Sequence, residues 1–466
     1  MSAHPWIPSA NKDEREYMLK RIGVSTPLDL YRDVPSNLLL NRLPKVGFGK
    51  ALSEFEVQRI VESYLRKNRV FLDPPPFIGG GLCFHVVPAA VKYILSRGEF
   101  YTAYTPYQPE INQGLLQALF EYQSLIADLF EMDVVNASMY DMSTAVAEAF
   151  LMAVRVTKKK KILVPKTMHP EHLNVAKTWL LGKDIKIEQL SFDSETGEIN
   201  LADLERKLQS NSVAAVYVEN PSSLGFIERN VETISDLAHK HGALLIAGVD
   251  PLSLGLIKPP GRYDADIAVG EGQSLGLGLN YGGPLLGIFA VKWDRRLIRQ
   301  MPGRLIGLTQ TVDGKERGFA MILQTREQHI KREKATSNIT TNEALMAIAA
   351  AVYLSLLGRE GIRKISRSIW LRSHYAAKRL SEIGVKAPYF NNEFFKEFVA
   401  VFPISYREIH KALLEKNILG GLPLDKWCPW IGSNAALFCV TEAHSVHDID
   451  LLVDTINEIV GRVKRA

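Results

Sequence analysis

Residues 269–284, "VGEGQSLGLGLNYGGP", make a glycine-rich loop with no lysine, no cysteine nucleophile and no serine–histidine pair. The loop follows "DADIAV", an apolar run with the character of a buried strand, and precedes "LLGIFAV", which has the same character. Strand ends are where α/β proteins concentrate their chemistry. Here the one ionisable side chain is Glu271, so the use of the loop has to be read from what surrounds it.

Helical and strand patterns alternate from residue 112 to 295. "GLLQALFEYQSLIADLF" and "TAVAEAFLMAVRV" are amphipathic helices, while "KILVPK", "AAVYVEN" and "ALLIAGVD" are short and rich in aliphatic residues. This alternation predicts an α/β fold with a mainly parallel sheet covered by helices on both faces. Upstream, Asn11 with Glu14 and Ser53 with Glu56 have capping-box spacing, and Gly23 is placed to end the first helix. "DPPPFIGGG" (73–81) then interrupts regular structure. Past residue 330 a long helical region precedes strand–helix–strand–helix patterns. The expected organisation is a helical arm at 1–80, a large α/β domain at 81–330 and a smaller α+β domain at 331–466.

The 466 residues are 46% hydrophobic and 23% charged, as in an ordinary globular enzyme, and the charge excess is small, 56 − 51 = 5. "KKKK" at 158–161 abuts a strand and has no interleaved aromatics, which argues against a nucleic-acid surface. Cys83, Cys428 and Cys439 are widely separated and match neither a zinc motif nor a disulfide framework, so a reducing compartment is expected. The N-terminal stretch has no apolar core, and "ALMAIAAAVYLSLL" (344–357) is too short to span a bilayer. A cytoplasmic protein that neither binds nucleic acid nor enters a membrane is the expectation.

Three features fall at sheet ends in a suggestive order. Ser143 and Thr144 start a helix after a turn, where unpaired N–H groups suit a phosphate, although the same hydroxyls could simply cap the helix. Asp250 ends "ALLIAGVD", where a carboxylate could pair with a protonated ring nitrogen or merely form a turn. The glycine-rich loop comes next. This is the chain order of fold-type I pyridoxal-phosphate enzymes, in which a Schiff-base lysine follows the aspartate. Here Gln273 lies in that stretch; Lys258 comes before the strand and Lys292 after the next one. The loop reads as a cofactor loop without its lysine.

Longer stretches carry a closer resemblance. "GEFYTAYTPYQPEINQGLLQALFEYQSLIADLFEMDVVNASMYD", "DPLSLGLIKPPGRYDADIAVGEGQSLGLGLNYGGPLLG" and "GRLIGLTQTVDGKERGFAMILQTREQHIKREKATSNITTNEAL" resemble glycine decarboxylase, the P-protein of the glycine cleavage system, in its N-terminal half. Some organisms make that half as a separate subunit. Nearly the whole chain takes part, and the motifs are long. One departure is Met142, where the family has glycine in its "YDG" turn; a methionine there would crowd a phosphate.

The resemblance implies a fold-type I architecture and a heteromer in which only the homologous subunit 2 carries the pyridoxal lysine. It also implies the reaction: glycine is decarboxylated and the aminomethyl group passes to the lipoyl group of the H-protein, with T-protein and L-protein completing the system. This chain would then complete a pocket across the interface. Tyr104, Tyr107 and Gln108 in "YTAYTPYQPE" are the first candidates, against the alternative that tyrosines simply pack an interface. Thr336, Ser337 and Asn338 in "EKATSNITTNEA" are the second, against N-capping of the following helix. Ser143, Thr144, His169, Asp250 and Gln273 would be vestiges of cofactor positions. His169 and His172 have metal-ligand spacing, but no further ligand is near in sequence, so no metal is expected. Two alternatives stay open: a purely structural subunit, and a stand-alone pyridoxal enzyme using Lys258 or Lys334.

Overall fold

A computed structural model describes residues 6, 11–40, 47–48, 51–103, 105–340 and 342–463. The chain divides into two compact units, Met1–Val70 and Phe71–Ala466.

In the first unit the helix Lys12–Ile22 starts at Asn11, whose side chain accepts from the Asp13 N–H, and ends at Gly23 in the left-handed region. The helix Glu54–Leu65 has the full capping box, with Ser53 and Glu56 satisfying each other's backbone donors. None of the described residues up to Val70 is buried. Tyr17, Ile22, Leu28, Leu38, Phe55 and Tyr64 are all more than half exposed. These helices have apolar faces and no core of their own.

The second unit is built on a seven-stranded sheet. Its strands are β1 (Val134–Val135), β2 (Lys161–Pro165), β3 (Lys186–Leu190), β4 (Val213–Glu219), β5 (Leu244–Val249), β6 (Ile267–Glu271) and β7 (Gly287–Val291). They lie in the order β1-β7-β6-β5-β4-β2-β3. Strands β2 to β6 run parallel, and β7 and β1 are antiparallel to their neighbours. The register pairs Gly270 with both Val249 and Ile288, so the glycine-rich loop joins two adjacent strands at one end of the sheet.

Alternation along β5 shows how the two faces are filled. Leu245, Ala247 and Val249 pack with Leu116, Ile126 and Phe130 of the helix Gln113–Phe130 and with residues of the long helix Ala344–Glu382. Ile246 points to the other face, against Val146, Phe150 and Met152 of the helix Met142–Thr157. By length and composition Ala344–Glu382 could cross a membrane, yet half of its most apolar window is buried inside the fold.

A hairpin of β8 (Leu305–Gln310) and β9 (Arg317–Ile322) follows the large sheet. A three-stranded antiparallel sheet, β10 (Glu397–Val401), β11 (Leu422–Pro423) and β12 (Ala435–Cys439), sits near the C-terminus in the order β10-β12-β11. Phe398, Phe438, Ile449 and Val453 belong to its core, with Ala376 and Leu380 from the end of the long helix.

The cysteine expectation is corrected here. Cys83 and Cys439 form a disulfide across 356 residues of sequence, and Cys428 is free and buried. Spacing concealed the bridge, because only the return of the chain at β12 brings the two sulfurs together. Cysteine usage therefore no longer argues for a reducing compartment.

Candidate functional site

Four of the five vestigial positions, Ser143, His169, Asp250 and Gln273, line one connected cleft at the carboxyl ends of the parallel strands, and Thr144 stands beside it as part of a helix cap. The outer part of the cleft has a volume of about 890 Å³ and is walled by Gly79, Gly80, Gly81, Ser143, His169 and Trp427 among others. The inner part has only about 70 Å³ and is bounded by Met142, Asp250, Glu271, Gln273, Lys396 and Glu397 among others.

Four of the positions that the resemblance assigns to a cofactor, Thr144, His169, Asp250 and Gln273, are engaged by the protein itself. The cap of the helix Met142–Thr157 is Asp141, not a hydroxyl residue: its carboxylate accepts from the Thr144 N–H at 2.7 Å, and the Thr144 hydroxyl accepts from the Asp141 N–H. The Glu271 carboxyl accepts from the Met142 N–H at 3.1 Å and from the N–H groups of Gln273 and Leu286, each also at 3.1 Å. The Met142 and Thr144 N–H groups of this helix start are thus spent on two carboxyl groups. Burial pushes the Glu271 carboxyl up to about 8, against the pull of those backbone donors.

Gln273, in the stretch where a lysine is expected, is buried and tied to backbone. Its amide donates to the carbonyls of Cys83 and Gly278, each at 3.1 Å, and its oxygen accepts from the Cys83 N–H. It offers no nucleophile. His169 caps the helix Pro170–Leu180: its Nδ1 accepts from the Glu171 N–H, which leaves Nε2–H to donate to the Gly80 carbonyl at 3.0 Å. Its ring stacks on His172 with centroids 4.2 Å apart and meets Trp427 edge-on. Burial, helped by the neighbouring His172, holds the His169 imidazole down at about 4.

The metal spacing of His169 and His172 serves this packing instead, with His172 Nδ1 bonded to Glu219 at 2.9 Å. Burial opposes ionisation of Glu219, but the His172 hydrogen bond holds its carboxyl below the ordinary value. Among the described residues the one close group of three metal-ligand types is Cys83, Glu397 and Cys439, and its two sulfurs are joined in the disulfide.

Sequence reasoning missed the most telling residue. Lys396, beside the start of β10, sends its side chain into the inner cleft, where Nζ lies 2.6 Å from Asp250 Oδ2. The neighbouring Glu397 accepts from the Gly80 and Gly81 N–H groups at 2.6 and 3.3 Å. That contact accounts for the glycine run "IGGG": a Cβ on Gly79 would stand 2.6 Å from Glu397 Oε1, and Gly80 has φ +115°. His85 bridges Lys396 at 3.4 Å and Glu442 at 3.0 Å, so a buried chain of polar contacts runs from Asp250 through Lys396 and His85 to Glu442.

The remaining candidates lie elsewhere. Tyr104 falls outside the described residues. The Tyr107 hydroxyl accepts from Arg304 at 2.7 Å, and its ring meets His329 edge-on at 5.2 Å, while Glu327 lies 3.4 Å from Arg304. Gln108 is exposed, and its carbonyl accepts from Asn112. Thr336, Ser337 and Asn338 line a different cavity of about 700 Å³ with Glu148, Arg155 and Trp179. They do not cap the long helix. Its first flanking residue is Glu343, and Ser337 instead accepts from the Ile339 N–H.

The sheet order, the helix start facing the cleft and the aspartate at the end of β5 define a fold-type I pyridoxal-enzyme scaffold. A NifS-like protein with 15% identity and a TM-score of 0.59, covering 81% of this chain and 97% of its own, shares that fold alone. The chain belongs to the glycine cleavage system P-protein family, which it matches over residues 4–456. It is 56% identical over 464 residues to the probable glycine dehydrogenase (decarboxylating) subunit 1 of Saccharolobus solfataricus, with both chains covered in full. It is also similar to a crystal structure of glycine decarboxylase (P-protein) of the glycine cleavage system in inhibitor-bound form. There the TM-score is 0.85 at 39% identity, over 98% of this chain and 100% of that one.

Proposed function

We propose that this chain is the cofactor-free subunit of a two-subunit glycine dehydrogenase (decarboxylating), and that a homologous subunit 2 holds the pyridoxal phosphate on its own lysine. The observation that carries the reading is the narrow inner cleft, in which Gln273 is tied to backbone and offers no amine. Pyridoxal phosphate in the partner supplies the electron sink for loss of carbon dioxide from glycine. The aminomethyl group then passes to the lipoyl group of the H-protein, with T-protein and L-protein acting downstream. A cytoplasmic location belongs to the same reading.

The stand-alone alternative finds little support. Lys258 is paired with Glu232 at the surface, and Lys334 is exposed. Neither lines the cleft.

Pairing with subunit 2 is supported by the first unit, whose apolar side chains have nothing of their own to bury them. Ile22→Asp and Phe55→Asp should therefore leave the isolated chain as stable as before, because both positions are exposed, yet weaken pairing. Gel filtration of the two co-expressed chains at low concentration checks this. Unchanged co-elution of both variants would remove the arm from the interface.

Tyr104 is proposed to reach the partner's pocket, with Tyr107, Gln108 and the Thr336–Asn338 loop as further contributors. Loss of one hydrogen bond to a charged partner costs about 1.5–3 kcal/mol, or roughly one to two orders of magnitude in rate. Tyr104→Phe is accordingly expected to slow glycine–bicarbonate exchange by that amount while assembly stays normal. Wild-type exchange in the phenylalanine variant would favour the structural-subunit alternative at this position.

A further inference from the structure

The inner cleft does contain a lysine, but it enters from the opposite side. Lys396 comes from the small sheet, is only 7% exposed in its side chain, and places Nζ 2.6 Å from the Asp250 carboxylate. Asp250 ends β5 at the position that serves a protonated ring nitrogen in this fold class, so an internal ammonium now stands where that cation would be. Burial disfavours the Lys396 charge, but Asp250 and Glu397 more than offset it and raise the ammonium above its ordinary value.

The phosphate end is narrowed independently. Glu271 and Asp141 take the N–H donors of Met142 and Thr144. The Met142 side chain reaches the floor of the cleft, with its terminal methyl 2.8 Å from where a Cβ on Gly248 would lie. Between the two ends Gln273 fastens the loop to Cys83. The inner space of about 70 Å³ against Asp250 and Gln273 takes a few waters and cannot hold a pyridine ring, while the outer part of about 890 Å³ stays open.

We infer that Lys396 is an internal counter-cation that replaces the pyridinium on Asp250, and that with Met142 and Glu271 it closes the inner end of this cleft to the pyridine ring of pyridoxal phosphate whether or not a lysine stands at position 273. The inference rests on the cofactor-free reading and deepens it: the inner end of the cleft is blocked as well as unreactive. A bound cofactor's structural task, neutralising a carboxylate at the strand end, is performed in cis.

The test uses the full chain assembled with its lysine-bearing partner. Wild type, Gln273→Lys, Gln273→Lys/Lys396→Ala and Gln273→Lys/Lys396→Ala/Met142→Gly are incubated with pyridoxal phosphate. Any amine at position 273 that meets the aldehyde condenses with loss of water, and borohydride reduces the resulting C=N bond to a stable amine. Peptide mapping then quantifies pyridoxyl label in this chain, and the partner's labelled lysine is the internal standard.

Gln273→Lys alone is expected to stay at background, and the triple variant to gain label by at least roughly tenfold, the effect of about 1.4 kcal/mol of restored affinity. Lys396→Asn replaces Lys396→Ala if the latter does not assemble, and in that background the thermal midpoint should rise with added pyridoxal phosphate. Label in Gln273→Lys equal to that in the triple variant overturns the inference, as does an assembled triple variant that stays at background. Label anywhere in the wild-type chain would instead overturn the cofactor-free reading, so the two failures are distinguishable.

Discussion

Lys396→Ala should destabilise the folded chain by about 3–5 kcal/mol, the usual consequence of removing one partner of a buried ion pair. Lys396 is 6% exposed, and its ammonium faces Asp250 at 2.6 Å and the ring of His85 at 3.4 Å. Without it, Asp250, Glu397 and Glu442 are left as clustered acidic groups with only His85 between them. Burial already raises the Glu397 carboxyl, and Lys396 is the charge that pulls it back. The variant should therefore take up more protons on folding than the wild type does.

Replacing both partners is a different matter. Asp250→Asn/Lys396→Met removes the two charges together and keeps most of the volume, so it should recover much of the lost stability. Denaturant midpoints of the four chains of this double-mutant cycle supply the measurement. If Lys396→Ala and the double variant were equally unstable, the side chain would matter for its packing and not for its charge.

The same residue shows where sequence reading stops. Glycine-rich loop, strand-end aspartate and helix start were legible because each is local and because their order along the chain is that of one fold class. The Ser53–Glu56 capping box was legible for the same reason, since both its partners lie within one turn. Lys396 was not. Residues Glu397 to Ala400 on β10 are all buried, so no alternation marks a face directed to a cleft. Asp250 meets Lys396 only because the small sheet packs beside the end of β5.

The disulfide failed in the same way, since 356 residues separate its cysteines. Tyr107 was singled out within the tyrosine-rich segment "YTAYTPYQPE", but its hydroxyl is held by Arg304, 197 residues away. Long-range partners were thus the illegible part of the site. Hydroxyls at a helix start are a weak signal too: Ser143 and Thr144 drew attention, and Asp141 does the capping.

Glu271, the one ionisable side chain of the glycine-rich loop, should make stability fall as pH rises from about 4.5 to about 8. Its ordinary value is 4.5 and burial, the largest influence, lifts it to about 8 in the folded chain, with Asp141 adding to the rise. A raised carboxyl means that the folded state holds a proton the unfolded state has released. The contribution is therefore complete below about 4.5 and is lost as pH climbs through about 8. At about 1.4 kcal/mol per unit the whole effect is of the order of 5 kcal/mol.

Glu271→Gln removes this dependence at a fixed cost. An amide has one acceptor oxygen where the carboxyl has two, so it cannot serve the N–H groups of Met142, Gln273 and Leu286 as fully, and one buried donor is left facing an NH₂ group. The variant should be less stable than wild type at pH 5, and the gap should narrow or reverse at pH 9. Urea midpoints of both chains at pH 5, 7 and 9 test the sign. Three N–H donors also stabilise a carboxylate, and if they outweighed burial the wild type would gain ground on the variant as pH rose. That outcome would make Glu271 an anionic stand-in for phosphate. The predicted one makes it a neutral plug, a hydrogen-bonding group that occupies the anion position of the fold without bringing a charge into it.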